Sequence, residues 1–80
     1  MKIRVLYFAS LRERAGLSES AEEVPPGSTT GSVWELIRTR PGFRDVKAEP
    51  GFAVNSEWSG PDVRLREGDS LGLLPPVSGG

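Results

Sequence analysis

The sequence predicts a small α+β domain, in which a mixed sheet carries one main helix on one face and a flexible tail follows at the carboxyl end. Three observations lead to this prediction. Apolar residues alternate with polar ones near the start of the chain, at residues 2–8. A helical apolar stripe lies in the middle, at 33–37, and an apolar run comes near the end, at 71–74. With 80 residues in all, the three stretches belong to one modest core.

The first strand is predicted at residues 2–8, where side chains point alternately to two faces of a sheet. One face carries Ile3, Val5 and Tyr7, and the other carries Lys2, Arg4, Leu6 and Phe8. The two charges mark the second face as solvent-exposed, so the first should be core. Phe8 is therefore expected on the surface.

A short helix and a second strand should follow. Ser10 and Glu13 have the spacing of a capping box, and Gly16 is a left-handed helix stop. Residues 18–24 are predicted as a strand that pairs with the first and ends at the Pro-Pro-Gly sequence of 25–27.

The main helix is predicted to run from Ser32 to about Arg40, with Ser32 and Glu35 as a second capping box. Its stripe of Val33, Leu36 and Ile37 should face the sheet. The loop at 27–31 is rich in Gly, Ser and Thr, but it lacks the spacing and the lysine of a phosphate-binding loop. We therefore interpret it as a plain connection.

The second half of the chain should contain two more strands. Phe43 and Val46 are the expected anchors of an irregular segment, followed by a strand at 51–55 and a turn at 55–57. Trp58 follows in a polar setting, which fits either partial exposure with a binding role or loose packing on the body.

The last strand is predicted at 70–74, after two further core anchors, Val63 and Leu65. Within it, Leu71 and Leu73 should face the core, whereas Leu74 should face the other side and join Phe8 outside.

A long excursion separates the N-terminal hairpin from the final strand, which favours parallel pairing of the first and last strands across one helix. This arrangement is the β-grasp, or ubiquitin-like, architecture. Residues 1–74 should form the domain and residues 75–80 an extended tail.

The composition excludes several classes of protein chemistry. The chain has no Cys or His, so disulfides, thiolate or imidazole metal sites, Cys nucleophiles and His bases are excluded, and no metal site is expected. Ten basic and eleven acidic residues give a net charge of −1 without a basic stripe, which argues against nucleic acid as a partner. No apolar run approaches the ~20 residues that span a membrane, so we expect a cytoplasmic protein without a membrane partner.

The carboxyl end is the strongest functional candidate. Pro75 and Pro76 should end strand pairing, and Gly79 and Gly80 form the narrowest backbone that a chain can present. The reactive group is the Gly80 carboxylate, which becomes an acyl donor once its oxygen is converted to a good leaving group. The alternative is a disordered terminus without function.

These residues resemble the small, sulfur-carrying subunit of molybdopterin synthase, which is ubiquitin-like. The resemblance covers the whole chain. It rests on Val5-Leu6-Tyr7-Phe8-Ala9 with Leu11-Arg12-Glu13, on Ala53-Val54-Asn55, on Leu65 with Glu67-Gly68-Asp69, and above all on Pro75-Pro76-Val77-Ser78-Gly79-Gly80. The sequence departs from the family in the loop at 26–31, which is longer than in relatives, and at Ser78, where Thr is frequent.

The resemblance implies that Gly80 is adenylated and then converted to a thiocarboxylate by an adenylating, sulfurating partner that uses ATP. The chain itself would bind no cofactor. The sulfur would pass to cyclic pyranopterin monophosphate inside the large synthase subunit, which carries the catalytic side chains, in a heterotetramer. The chain would thus be a cosubstrate and no enzyme on its own, and its partner surface would match Phe8, Trp58 and Leu74.

Three alternatives stay open at this point. The chain could be a sulfur carrier for thiamin synthesis, tRNA thiolation or an amino-acid route. It could be a modifier conjugated to lysines through Gly80. It could also be an interaction domain whose Gly-Gly ending is incidental.

Overall fold

A computed structural model describes residues 1–76 of the chain, which contain five strands and two helices. The elements are β1 (Lys2–Tyr7), α1 (Ala9–Ala15), β2 (Glu19–Glu23), α2 (Thr30–Ile37), β3 (Gly51–Val54), β4 (Glu57–Ser59) and β5 (Ser70–Leu74). Within residues 1–76, neither helix has the length and hydropathy that a membrane span requires.

All five strands belong to one mixed sheet in the order β2-β1-β5-β3-β4. The N-terminal strand β1 and the C-terminal strand β5 pair in parallel at the centre, and the other pairs are antiparallel. The predicted β-grasp sheet, its β1–β2 hairpin and its parallel central pair are therefore confirmed.

Helix α2 covers one face of the sheet, where the core forms. The predicted alternation is confirmed, because Ile3, Val5 and Tyr7 of β1 and Leu71 and Leu73 of β5 are all buried. Val33 and Ile37 of α2, together with Leu65 and Phe43, join the same cluster.

Both predicted capping boxes are wrong. Helix α2 begins earlier, with Thr29 as its N-cap: the Thr29 hydroxyl accepts from the Ser32 amide at 3.2 Å, and the Ser32 hydroxyl accepts from the Thr29 amide at 2.8 Å. Ser32 thus takes the role expected of a Glu at the third helical position. In α1 the N-cap is Phe8, which supplies no side-chain hydrogen bond, and Ser10 already lies within the helix. The predicted left-handed stop at Gly16 is confirmed, with φ of 76°.

Two predicted core residues are exposed. Leu36 is 50% exposed, because the buried face of α2 is formed by Thr30, Val33, Trp34 and Ile37, and Leu36 points away from it. Trp34 takes the expected place of Leu36 and contacts Phe43 edge to face, with ring centroids 6.1 Å apart. Val63 is also exposed, whereas Leu65 is buried as predicted.

Two arginine–carboxylate pairs attach the irregular segment after α2 to the rest of the domain. Arg40 donates to Glu22 of β2. Arg14 of α1 donates to Asp45 and to the carbonyl oxygen of Gly42. The segment is therefore bonded to both α1 and β2.

Candidate functional site

The sheet face opposite α2 is uncovered and is here called the open face. Strand register aligns four of its residues across the sheet: Leu6 of β1 lies beside Gly72 of β5, Gly72 beside Ala53 of β3, and Ala53 beside Trp58 of β4. The open face therefore has an apolar row that crosses four strands.

Two aromatic side chains stand on this face. Phe8 directly follows β1 and is 44% exposed, and Trp58 in β4 is 73% exposed. Exposed aromatic residues on an apolar surface are typical anchors of protein interfaces. The prediction that Phe8 lies outside the core is confirmed, and the open question about Trp58 is decided in favour of exposure.

The chain after Phe8 turns sharply to allow this placement. Phe8 is extended, and the next residue, Ala9, has a φ of 49°, which residues other than glycine seldom adopt. The Phe8 carbonyl then accepts from the Leu11 amide at 3.0 Å, the first turn of α1. The left-handed residue Ala9 thus directly follows the exposed Phe8.

Trp58 is placed by a hairpin that the sequence did not predict. Strands β3 and β4 are joined by the two-residue turn Asn55-Ser56, whose φ values are 49° and 73°. Such left-handed pairs match the twist of a hairpin. The Asn55 side chain fixes the turn, since it donates to Asp69 at 3.0 Å and accepts from the Ser70 amide at 3.0 Å.

A shallow groove of about 330 Å³ lies on this face, lined by Leu6, Phe8, Ala53, Asn55, Ser56, Ser70 and Gly72. We call Leu6, Phe8, Ala53, Trp58, Gly72 and Leu74 the apolar patch. The polar lining of the groove comes from neutral side chains. The Arg4–Glu19 ion pair, at 3.3 Å, borders the apolar patch on the β2 side, because Glu19 pairs with Leu6 across the two strands.

The chain leaves strand β5 beside the apolar patch. Strand β5 ends at Leu74, which pairs with Gly51 on one side, while the Phe8 amide donates to the Leu73 carbonyl on the other at 3.2 Å. Leu74 and Pro75 are half-buried and Pro76 is exposed. Val77, Ser78, Gly79 and Gly80 lie outside the described residues, so their predicted roles and the predicted tail stay predictions.

A model of the ThiS family matches residues 5–80 of this chain. The chain belongs to the ThiS family. It is 37% identical to the molybdopterin synthase sulfur carrier subunit of Chlamydomonas reinhardtii, and all of both chains is covered. It is 35% identical to the human protein of the same name, over 99% of this chain and 94% of the human one. The resemblance read from the sequence is thus confirmed.

Solved structures of similar proteins agree with the family. A putative molybdopterin converting factor, subunit 1, from Pyrococcus furiosus is 34% identical with a TM-score of 0.81, covering 96% of this chain and 99% of that one. The small archaeal modifier protein 1 of Methanosarcina acetivorans is 27% identical with a TM-score of 0.71, at 99% and 96% coverage. A protein–protein complex of subunits 1 and 2 of molybdopterin-converting factor from Helicobacter pylori contains a chain that shares the fold, at 21% identity and a TM-score of 0.70 over both full lengths.

For this ThiS-family protein, sequence reasoning predicted the exposed Phe8 and the strand that precedes the tail, and it singled out Trp58 without deciding whether that side chain is exposed. It missed strand β4 and gave no role to Gly51, Ala53 or Gly72, which complete the open face. A usable signal existed for one of them, because the pattern Leu71-Gly72-Leu73 places a glycine on the outer side of a strand. A glycine inside a strand often marks the close approach of another group.

Proposed function

We propose that this protein is the sulfur carrier of a molybdopterin synthase and that the Gly80 carboxylate carries the sulfur. The observation that supports this most strongly is full-length similarity to sulfur carrier subunits of that synthase. The geometry agrees with this proposal. Strand β5 leads to the Gly-Gly end, and the chain leaves β5 beside the uncovered apolar patch.

The proposed cycle begins with activation. An adenylating partner uses ATP to join AMP to the Gly80 carboxylate, with release of pyrophosphate. The terminal sulfur of a persulfide on a partner then displaces AMP and gives an acyl disulfide. A second partner thiol cleaves its S–S bond, which leaves a thiocarboxylate on Gly80 and a disulfide between the two partner sulfurs. This chain binds no cofactor of its own in the cycle, because ATP is used by the partner. We expect the cycle to run in the cytoplasm, where ATP is available.

The proposed second half of the cycle takes place inside the large subunit of the synthase. Sulfur is softer and more nucleophilic than oxygen, so the thiocarboxylate attacks cyclic pyranopterin monophosphate while its acyl group stays attached. Hydrolysis of that acyl bond leaves sulfur on the pterin and returns the Gly80 carboxylate. Two carriers supply the two sulfurs of one dithiolene, which fits a heterotetramer with two large subunits.

The side chains that this chemistry needs belong to the partners in this proposal. The chain contributes reach and docking: residues 75–80 span at most ~20 Å when extended. The apolar patch, with Phe8, Trp58 and Leu74, binds the large subunit and orients the tail. The Helicobacter pylori complex supports a large-subunit partner, because its subunit 1 has the same fold.

A second candidate function is a protein modifier conjugated to lysines through Gly80. It is favoured by the likeness to the small archaeal modifier protein of Methanosarcina acetivorans. A sulfur carrier for thiamin synthesis or tRNA thiolation is a further alternative, but the Pro-Pro-Val lead-in to the tail favours molybdopterin synthesis.

The decisive experiment is an intact mass measurement. The protein is incubated with ATP, a sulfur source and the adenylating enzyme of a molybdopterin synthase system. We expect a gain equal to the replacement of one oxygen by one sulfur, and no gain for a variant without Gly80. The loaded protein is then mixed with a large subunit and cyclic pyranopterin monophosphate, and formation of molybdopterin is measured.

The outcomes separate the candidates. A sulfur gain followed by molybdopterin formation supports the proposal. A sulfur gain without product, while a known carrier gives product, favours another sulfur pathway. No gain at all, with an adenylating enzyme that is active on a known carrier, contradicts the carrier function, and a ladder of conjugated proteins in cell extract would then identify a modifier.

A further inference from the structure

Both aromatic rings of the apolar patch lie directly over glycines. A Cβ atom added to Gly72 would lie 3.2 Å from Cε2 of Phe8, and one added to Gly51 would lie 3.0 Å from Cζ3 of Trp58. Both distances are shorter than ordinary van der Waals contact. Each ring therefore occupies space that any residue other than glycine would fill.

The backbone does not require glycine at either position. Gly51 and Gly72 lie in regular strands. Neither belongs to the positive-φ glycines of residues 1–76, which are Gly16, Gly27, Gly42 and Gly68. Glycine otherwise weakens a strand, because it has no side chain to pack and loses more conformational freedom on folding. This cost is larger for Gly72, inside β5, than for Gly51, the first residue of β3. The ring above each glycine is thus the feature that explains its presence.

The contacts that a new methyl group would make at Gly51 and Gly72 also differ from those at another crowded glycine, Gly31. At Gly31 a Cβ would lie 2.9 Å from the backbone oxygen of Pro61, so the main chain would have to move. At Gly51 and Gly72 it would meet the far edge of an exposed side chain. Such a ring can move outward into solvent while the sheet stays as it is.

We propose that Gly51 and Gly72 are positioning residues for docking, which let the Trp58 and Phe8 rings lie close to the sheet and so set the shape that the large synthase subunit recognises. This inference rests on the proposed function. Interface cores pack as densely as protein interiors, so a ring displaced by less than 1 Å loses contacts with its partner. The two glycines thus determine specificity without touching the partner themselves.

The test compares three variants, Gly51→Ala, Gly72→Ala and Gly60→Ala. Gly60 is the matched control, since a Cβ there would meet nothing within 4 Å and its φ is not in the left-handed range. Affinity for a purified large subunit is measured by calorimetry, and folding by thermal melting. We expect about tenfold weaker binding for the first two variants and no change for Gly60→Ala, with all three melting near the wild-type temperature.

A second measurement shows whether the effect runs through the ring. Gly72→Ala is repeated in a Phe8→Leu background, where the side chain is apolar but has no ring edge over residue 72. We expect the tenfold loss to shrink to less than about twofold, because the two sites are coupled only through that contact. An equal loss in both backgrounds would overturn the inference.

Three further results would overturn the inference. Wild-type binding by Gly51→Ala and Gly72→Ala overturns the inference and leaves the proposed function intact. Melting far below the wild type also overturns it, since the backbone and not the ring would then have moved. Failure of the wild-type protein to bind the large subunit contradicts the proposed docking, and the inference that rests on it fails with it.

Discussion

Arg40 donates two hydrogen bonds to the Glu22 carboxylate, at 3.0 and 2.7 Å, and so ties the end of the α2 region to the edge strand β2. Ser20 donates a third at 2.7 Å. The Arg40 guanidinium is the main reason that the pKa of Glu22 lies below its usual value of 4.5, despite the opposing effect of partial burial.

This pair predicts a pH-dependent stability. Folding lowers the pKa of Glu22, so its carboxylate stabilises the folded state. This contribution to the free energy of unfolding is fully present above pH 4.5, and it is lost as the pH falls through the pKa that Glu22 has in the folded protein. We expect Glu22→Gln to lower the free energy of unfolding by about 1 kcal/mol at neutral pH. Urea unfolding from pH 7 to pH 3 should show this difference shrink in acid.

Glu13→Gln is the control for that series, since Glu13 is exposed on α1 and the salt bridges of residues 1–76 do not include it. If the free energies of unfolding of the wild type and Glu22→Gln differ by the same amount down to pH 3, the charge of the Glu22 carboxylate does not stabilise the fold.

Gly42→Ala should destabilise the domain for two reasons. Gly42 has a φ of 95°, and a Cβ there would lie 2.9 Å from the carbonyl oxygen of Arg14. Gly27→Ala isolates the first reason, because Gly27 has a φ of 89° with open space around it. We expect losses of about 2 kcal/mol for Gly42→Ala and about 1 kcal/mol for Gly27→Ala in urea unfolding. Equal losses would contradict the steric part of the explanation.

Phe8→Glu should weaken binding to the large subunit at least about tenfold while the domain stays folded, because a charge would replace an exposed aromatic anchor. Leu36→Glu is the matched control, since Leu36 is similarly exposed but lies on α2, on the other side of the sheet. Calorimetry gives the affinities and far-UV circular dichroism the fold. Similar affinities for the two variants would place the docking surface elsewhere.

Ser56→Gly should stabilise the β3–β4 hairpin. Ser56 has a φ of 73° in a two-residue turn, a conformation that glycine adopts without steric cost. We expect a gain of about 0.5 kcal/mol, since glycine also adds freedom to the unfolded chain. Ser59→Gly, within strand β4, should change the melting temperature in the opposite direction. A lower melting temperature for Ser56→Gly would show that its backbone is not strained.

The alternation of β1 and β5 made the core and the parallel central pair predictable, because a buried strand face requires apolar residues at every second position. Helix boundaries were harder. Thr29 and Ser32 have the same spacing as Ser32 and Glu35, and the choice between them depends on contacts such as the hydrogen bond from the Thr30 hydroxyl to the Gly60 carbonyl at 2.6 Å. Such long-range contacts leave no local pattern.

Strand β4 was missed for a related reason. It has three residues, two of them polar, and exists because Asn55 and Ser56 adopt left-handed conformations that bring it back onto β3. The exposed position of Trp58 was therefore an open question in the sequence. The positions of Gly51 and Gly72 under aromatic rings depend on cross-strand geometry, which the order of residues alone does not specify.

The position of β5 has a mechanical consequence. The strand that leads to the tail is bonded on both sides, to β1 in parallel and to β3 in antiparallel orientation. A pulling force applied at Pro76 acts along the strand axis and loads both ladders in shear, so many hydrogen bonds must break together. In the proposed function, a partner that pulls on the end of this chain therefore works against both ladders at once, and we expect the domain to stay folded.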